Sequence, residues 1–152
     1  MYHSAVRRIA RGAYRSLSRG DYEAVLRSFA PDAVLEFPGD HPLGGSFHGL
    51  DAIRDWFERL HASFPDLRFE PGVILVDGYP WNTVVAARFT VTATLPNGRA
   101  YANEGMQFLR LRWGRIVEDV LYEDTQALAE ALAEALADRG LDYDPPAATK
   151  PG

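Results

Sequence analysis

The sequence predicts an α+β fold in which helices pack on one face of a curved antiparallel sheet. Apolar residues recur at helical spacing near the N-terminus and again after residue 50, whereas residues 67–122 run largely in alternating, β-rich stretches. Asn97-Gly98 and Trp113-Gly114 punctuate those stretches as tight turns. Helices followed by a strand meander put the helices on one sheet face, and a sheet curling around them leaves a concave mouth suited to a ligand.

Each element has its own signal. Val6, Ile9, Ala10, Ala13, Tyr14 and Leu17 recur at three and four residues, with Arg7, Arg11 and Arg15 as a solvated stripe on another face. Gly20 ends this helix, and Asp21 caps a short second one over 22–29, closed by Ala30-Pro31-Asp32. Ala33–Phe37 reads as a strand. The segment Phe37–Gly49, FPGDHPLGGSFHG, holds two prolines, four glycines and two histidines and reads as a rim loop stiffened by Pro38 and Pro42. His48 is expected to help start the next helix. In that third helix Ala52, Ile53, Trp56, Phe57 and Leu60 share one face, and Pro65 lies just beyond its end. Strands follow at 67–76, interrupted at Pro71-Gly72, then at 83–95, 100–112 and 115–122. Asp124 or Thr125 caps a last helix that buries Leu128, Leu132, Ala135 and Leu136 and stops at Gly140. The organisation expected is one domain over 1–140 and a mobile tail over 141–152.

Composition narrows the function classes. A chain of 152 residues with 47% hydrophobic content suits a single domain with a real core. Acidic residues outnumber basic ones by 21 to 16 with no Lys/Arg block, so nucleic acid is not an expected partner. No stretch approaches the ~20 apolar residues of a membrane span, and the arginine-rich start does not fit a secretory signal. The expectation is a soluble cytoplasmic protein without a membrane partner. With no cysteine there is no disulfide, thiol nucleophile or thiolate site. His41 and His48 stand seven residues apart with no third ligand held nearby, so no metal is expected. The glycine-rich segments lack the strand–loop–helix context of a phosphate cradle, and no cofactor is expected.

The element order, with RGDYEAVLRSFAPDAVLEFPG, FHGLDAIRDWF, GRAYANEGMQFLRLRWGRIVE and YED, resembles the SnoaL-like branch of the nuclear transport factor 2-like superfamily over roughly residues 4–136. The resemblance implies a cone-shaped sheet wrapped around N-terminal helices. It does not imply one activity, since the scaffold hosts ketosteroid isomerases, epoxide hydrolases, polyketide cyclases and binding domains. Where an isomerase of this superfamily carries its Asp base the sequence has Phe37, and its oxyanion acid falls near Met106 or Gln107. Of the hydrolase triad only Arg88 matches, the two carboxylate positions being Thr90 and Leu121. The cyclase Asp falls at or next to Asp124, and the cyclase pocket His becomes Gln107.

Strand geometry suggests a site. If Asn97-Gly98 is a two-residue turn, Arg88 faces Gln107, Thr90 faces Gly105 and Thr92 faces Asn103. If the next turn is a three-residue loop at Arg112–Gly114, Gln107 neighbours Asp119, Gly105 neighbours Leu121 and Asn103 neighbours Glu123. The resemblance turns this face toward the cavity, because Arg88, Thr90 and Thr92 match pocket-lining positions. The opposite face then carries Phe89, Val91, Met106, Phe108, Val120 and Tyr122, and a homodimer through that face is expected, as in the family.

The candidate catalytic set is therefore Asp119 as base, Arg88 and Gln107 as donors, Tyr14 as a second donor and His41 as a proton carrier at the mouth. Substrate-binding candidates are Phe37, Trp56, Phe57, Thr90, Thr92, Asn103 and Leu121. Burial raises the pKa of Asp119 and Arg88 lowers it; pairing is expected to win and leave an ionised carboxylate. The same row also reads as a satisfied buried ion pair. Glu36, Glu104, Glu118 and Glu123 read as outer-face or rim charges. Two functions fit: a cofactor-independent cyclase, isomerase or dehydratase acting on an apolar oxygenated small molecule, or a non-catalytic binding or assembly domain.

Overall fold

A computed structural model describes residues 1–137. The elements are α1 (Tyr2–Ser18), α2 (Tyr22–Leu26), β1 (Phe29–Phe37), β2 (Gly45–His48), α3 (Leu50–Ser63), β3 (Arg68–Tyr79), β4 (Asn82–Thr94), β5 (Ala100–Arg112), β6 (Arg115–Glu123) and α4 (Thr125–Ala137). The strands form one open sheet in the order β2-β1-β6-β5-β4-β3. Its pairings are antiparallel except β1 with β6, which is parallel and sets Leu35 beside Asp119. The expected stop at Gly140 and the tail over 141–152 lie outside the described residues.

Local chemistry explains the boundaries. Asp21 accepts a hydrogen bond from the Ala24 N–H and starts α2. That helix ends earlier than expected, and the chain enters β1 at Phe29 rather than Ala33, so that Phe29 pairs with Ile116. Pro31, which cannot donate to a helical ladder, suits strand better than helix here. The rim loop contains an unexpected strand, β2, which pairs with β1 through Val34–His48 to Phe37–Gly45. His48 therefore belongs to β2, and Gly49 caps α3. The break at Pro71-Gly72 is a register shift between Pro71 and Ile74. Asp124 caps α4 by accepting from the Ala127 N–H.

The helices bury their apolar faces on the inner side of the sheet. From α1 come Val6 and Tyr14, and from α3 come Ile53, Trp56, Phe57 and Leu60. Ile9 is 66% exposed, because the buried stripe of α1 centres between Val6 and Leu17 and leaves Ile9 at its edge. In α4 Ala131 joins Leu128, Leu132 and Ala135 in the buried set, and Leu136 lies at its edge.

The β4–β5 register differs from expectation by one residue. The turn is a three-residue loop, Pro96-Asn97-Gly98: the Leu95 N–H donates to the Arg99 carbonyl at 2.9 Å, and the Gly98 N–H donates to the Leu95 carbonyl at 2.8 Å. A two-residue turn would have needed an N–H from Pro96, which has none; as a loop residue Pro96 loses nothing, and Gly98 takes the left-handed conformation at φ 83°. Arg88 consequently opposes Met106, and Ala87 opposes Gln107. A slip of one residue inverts a strand's faces, so Val85, Ala87, Phe89, Val91 and Ala93 point inward, while Arg88, Thr90 and Thr92 point outward. The β5–β6 hairpin also differs. Its turn is the two-residue Trp113-Gly114 with Arg112 opposite Arg115, and a bulge at Arg110/Leu111 sets Gln107 opposite Leu121. The slip there is two residues, which leaves Gln107, Asp119 and Leu121 on the inner face.

Candidate active site

The inner sheet face, α1 and α3 enclose a cavity of about 70 Å³. Phe37, Trp56, Phe57, Phe64, Phe69 and Phe89 supply most of its wall, with Leu43 from the rim segment, Leu121 from β6 and Leu128 from α4. Its polar groups come from Tyr14, Tyr101, Gln107, Asp119 and Glu123. Such a site holds an apolar body and orients it through few hydrogen bonds.

Three of these groups form a chain. The Tyr14 hydroxyl donates to Gln107 Oε1 at 2.5 Å, and Gln107 Nε2 donates to Asp119 Oδ1 at 2.8 Å. Gln107 reaches Asp119 diagonally, since its direct neighbour on β6 is Leu121. Tyr14 reaches the chain because α1 lays that residue on the sheet, its ring tilted against Phe69 and Phe89. Asp119 is 3% exposed, and among the described residues no cation pairs with it. Burial pushes its pKa up to about 7, and the Gln107 hydrogen bond offsets only part of that rise. The expected ionised pair with Arg88 is absent, because the register shift carries Arg88 to the outer face, where it meets Glu104 at 2.8 Å. The Tyr14 phenol is held well above its ordinary pKa, first by burial and then by the charge of Asp119. It stays a donor. Asp119 Oδ2 has no hydrogen-bond partner among the described residues and belongs to a cavity-lining side chain.

A second polar group gathers farther along β6. Glu123 lines the cavity and was expected at the rim. Burial pushes its pKa up to about 7 as well. Asn103 Nδ2 donates to the Tyr101 hydroxyl at 2.8 Å and to the Asp124 carbonyl at 3.0 Å, and lies 3.4 Å from Glu123 Oε2. The Tyr101 phenol is raised by burial. Gly105 opposes Glu123 on β5, and a Cβ there would stand 2.5 Å from Phe89 Cζ and 2.9 Å from Glu123 Cγ, so glycine makes room for both.

The other candidates divide clearly. Phe37, Trp56, Phe57 and Leu121 line the cavity as expected. Thr90 and Thr92 are exposed on the outer face and line nothing inside. Asn103 is buried and braces Tyr101 rather than forming wall. The Asp124 carboxylate is engaged in capping α4. Glu104 and Glu118 do point outward, in ion pairs with Arg88 and Arg110. His41 is buried at 3% exposure but does not line the cavity; it packs edge-on behind Phe37, with ring centroids 4.8 Å apart. α3 pins the surrounding segment, Trp56 Nε1 donating to the Leu43 carbonyl at 2.9 Å and Arg59 to the Pro42 carbonyl at 3.2 Å. The outer face carries Met106 and Tyr122 as expected, 55% and 56% exposed, whereas Phe89 and Val91 belong to the interior.

Comparison with known families agrees with this architecture. The model of the SnoaL-like domain matches residues 10–119. The chain belongs to the SnoaL-like domain family. Among solved structures it is similar to an NTF2-like protein of unknown function from Burkholderia pseudomallei, at 26% identity and TM-score 0.69, over 83% of this chain and 95% of that one. It is similar to IdmH, a suggested polyketide cyclase from Streptomyces antibioticus, at 25% identity and TM-score 0.66, over 82% and 95%. TerC, crystallised with polyporic acid, shares the fold at 20% identity and TM-score 0.68, over 79% and 92%. No curated protein matches the sequence.

His41 offers a direct check of the packing. Among the described residues neither ring nitrogen has a hydrogen-bond partner of good geometry, and burial lowers its pKa against a looser backbone contact with Pro38 and the charge of Asp40. The fold thus favours neutral His41: its contribution is present above the ordinary imidazole pKa and is lost as pH falls below it. His41→Leu should raise stability by about 1–3 kcal/mol in urea unfolding, with a larger gain at pH 5 than at pH 8. A loss of stability at both pH values would show that the imidazole is satisfied.

Proposed function

We propose that this family member is a cofactor-independent enzyme that moves a proton on an apolar, oxygenated small molecule, with Asp119 as the base. The observation that carries the reading is a carboxyl buried in an apolar cavity, held by one neutral donor and, among the described residues, without a counter-charge and with no partner for its second oxygen. Such a group has its proton affinity matched to neutral pH. Gln107 fixes Oδ1, and Tyr14 fixes Gln107, so Oδ2 is the oxygen left to meet the substrate. Abstraction of a proton from a carbon beside a carbonyl puts the electron pair on the carbonyl oxygen and the proton on Asp119. Return of that proton to a different carbon completes an isomerisation. Attack of the enolate carbon on a second carbonyl of the molecule, with the proton returned to the resulting alkoxide, completes a cyclisation. Expulsion of a β-hydroxyl that takes the proton and leaves as water completes a dehydration. The designation of IdmH as a suggested polyketide cyclase supports the cyclase form of this reading.

The expected setting is cytoplasmic, and we propose a homodimer in which the outer sheet face pairs with its copy. Leu75, Met106 and Tyr122 leave apolar surface exposed there. Sedimentation should show a dimer that Met106→Asp converts to monomer; a native chain that sediments as a monomer contradicts the pairing.

Proton abstraction can be followed before the natural substrate is known, by deuterium uptake from D2O into a panel of aryl 1,3-diketones. The native chain should accelerate uptake at the carbon between the carbonyls. Its rate should rise with pH through about 7 as Asp119 ionises. Asp119→Asn, nearly isosteric and still able to meet Gln107, should fold normally and lower the rate by about 100-fold or more. An unchanged rate in Asp119→Asn removes Asp119 as base. A chain that binds these diketones without accelerating exchange is the non-catalytic binding domain, a reading favoured by the absence of the isomerase and hydrolase carboxylates at Phe37, Thr90 and Leu121.

A further inference from the structure

The chain Tyr14–Gln107–Asp119 uses one end of the polar equipment of the cavity and leaves Glu123 without a task. Asp119 and Glu123 share the inner face of β6, separated by Leu121. Four residues of strand place their Cα atoms about 13 Å apart. Between them β6 presents Leu121, with Gln107 opposite it on β5, while Gly105 opposes Glu123 and makes room for that side chain and Phe89. A structural Glu would be paired, yet among the described residues no cation meets Glu123. Its one hydrogen-bonding neighbour among the described residues is Asn103 Nδ2, whose two hydrogens already serve the Tyr101 hydroxyl at 2.8 Å and the Asp124 carbonyl at 3.0 Å, so the 3.4 Å approach to Glu123 Oε2 is the weakest of the three. The carboxyl is thus held in place and left with unspent hydrogen-bonding capacity toward the cavity.

We propose that Glu123 is a ligand-binding group that donates a hydrogen bond to an oxygen at the end of the substrate remote from Asp119. The substrate class is an unsaturated, apolar molecule bearing oxygen at both ends, one for each carboxyl, and seating it requires the cavity wall to yield beyond the ~70 Å³ enclosed. A carbonyl oxygen accepts only, so it selects neutral Glu123, the form that burial favours up to about pH 7. A molecule with oxygen at one end alone leaves the half-buried Glu123 carboxyl without a ligand partner, which weakens its binding. This assignment rests on the cavity being the ligand site; it does not require turnover.

The test compares 4,4′-diacetylbiphenyl, with a carbonyl at each end, and 4-acetylbiphenyl, with one, by titration calorimetry near pH 6. The native chain should bind the diketone roughly tenfold more tightly, about one hydrogen bond's worth of discrimination. Glu123→Gln keeps a donor and should keep that preference, whereas Glu123→Leu and Glu123→Met, apolar replacements of similar size, should bring the ratio close to one. Raising the pH to about 9 should erase the preference in the native chain by ionising the carboxyl. A preference unchanged in both apolar variants, equal affinities in the native chain, or no binding of either ketone overturns the assignment. Failure of deuterium exchange in Asp119→Asn comparisons bears on the base and leaves this ratio untouched, so the two readings fail separately.

Discussion

Everything in the interior is arranged around a carboxyl that has been taken out of water without a positive partner. Two effects compete for any buried Asp: desolvation, which favours the neutral acid, and a nearby cation, which favours the anion. In this fold the contest is decided by a single residue of strand register. Were Asn97-Gly98 the whole turn, Arg88 would face the cavity; with Pro96 inside the loop, Arg88 lies in solvent beside Glu104, and desolvation wins. A proline without an N–H is thus compatible with the register that keeps Arg88 away from Asp119, two strands away.

The surrounding structure maintains that condition. α1 and α3 seal the inner sheet face with aromatic side chains, and the rim segment is tied to α3 through the Trp56 and Arg59 hydrogen bonds to backbone carbonyls. The neutral chain from Tyr14 through Gln107 fixes one oxygen of Asp119 without supplying charge. At the other end of the cavity Asn103 holds the Tyr101 hydroxyl and approaches Glu123 more weakly, at 3.4 Å, again without supplying charge. An apolar wall with a neutral-donor cluster at each end describes a receptor for a molecule of the same design. The SnoaL-like fold supplies the scaffold, and these few polar side chains supply the chemistry of the cavity.

Much of the fold was legible because its signals are local. The helical stripes at Val6–Leu17 and Ile53–Leu60, the Asp21 and Asp124 caps and the glycine-marked hairpins each depend on neighbours in sequence. Tertiary pairing was less accessible. β2 is four residues long, lies in a glycine-rich loop and gains its strand character only from β1. Inward Asp119, Gln107 and Leu121 were read correctly because the β5–β6 slip was even, whereas the one-residue slip of β4 turned Arg88, Thr90 and Thr92 outward. The correct answer was present in the residues: Val85, Ala87, Phe89, Val91, Ala93 and Leu95 form an unbroken apolar alternation, against Arg88, Thr90, Thr92 and Thr94 on the other face. That pattern fixes the inward face of β4 against both the two-residue turn, which misplaces the register, and the match to hydrolase positions, which misplaces the facing. Glu123 reads as a rim charge because a Glu at a strand end is ordinarily a surface residue; the match that puts a cyclase Asp at or next to Asp124 pointed to this strand end, and the fold shows the cavity reaching the half-buried Glu123.

The central claim is that Asp119 is a buried carboxyl whose proton affinity is set by desolvation rather than by an ion pair. Carbon-13 NMR of the Asp119 side-chain carboxyl across pH reads this directly, with Asp119→Asn identifying the resonance. The account predicts a midpoint of about 7. A midpoint near 4, the ordinary range for an aspartate in water, would contradict it.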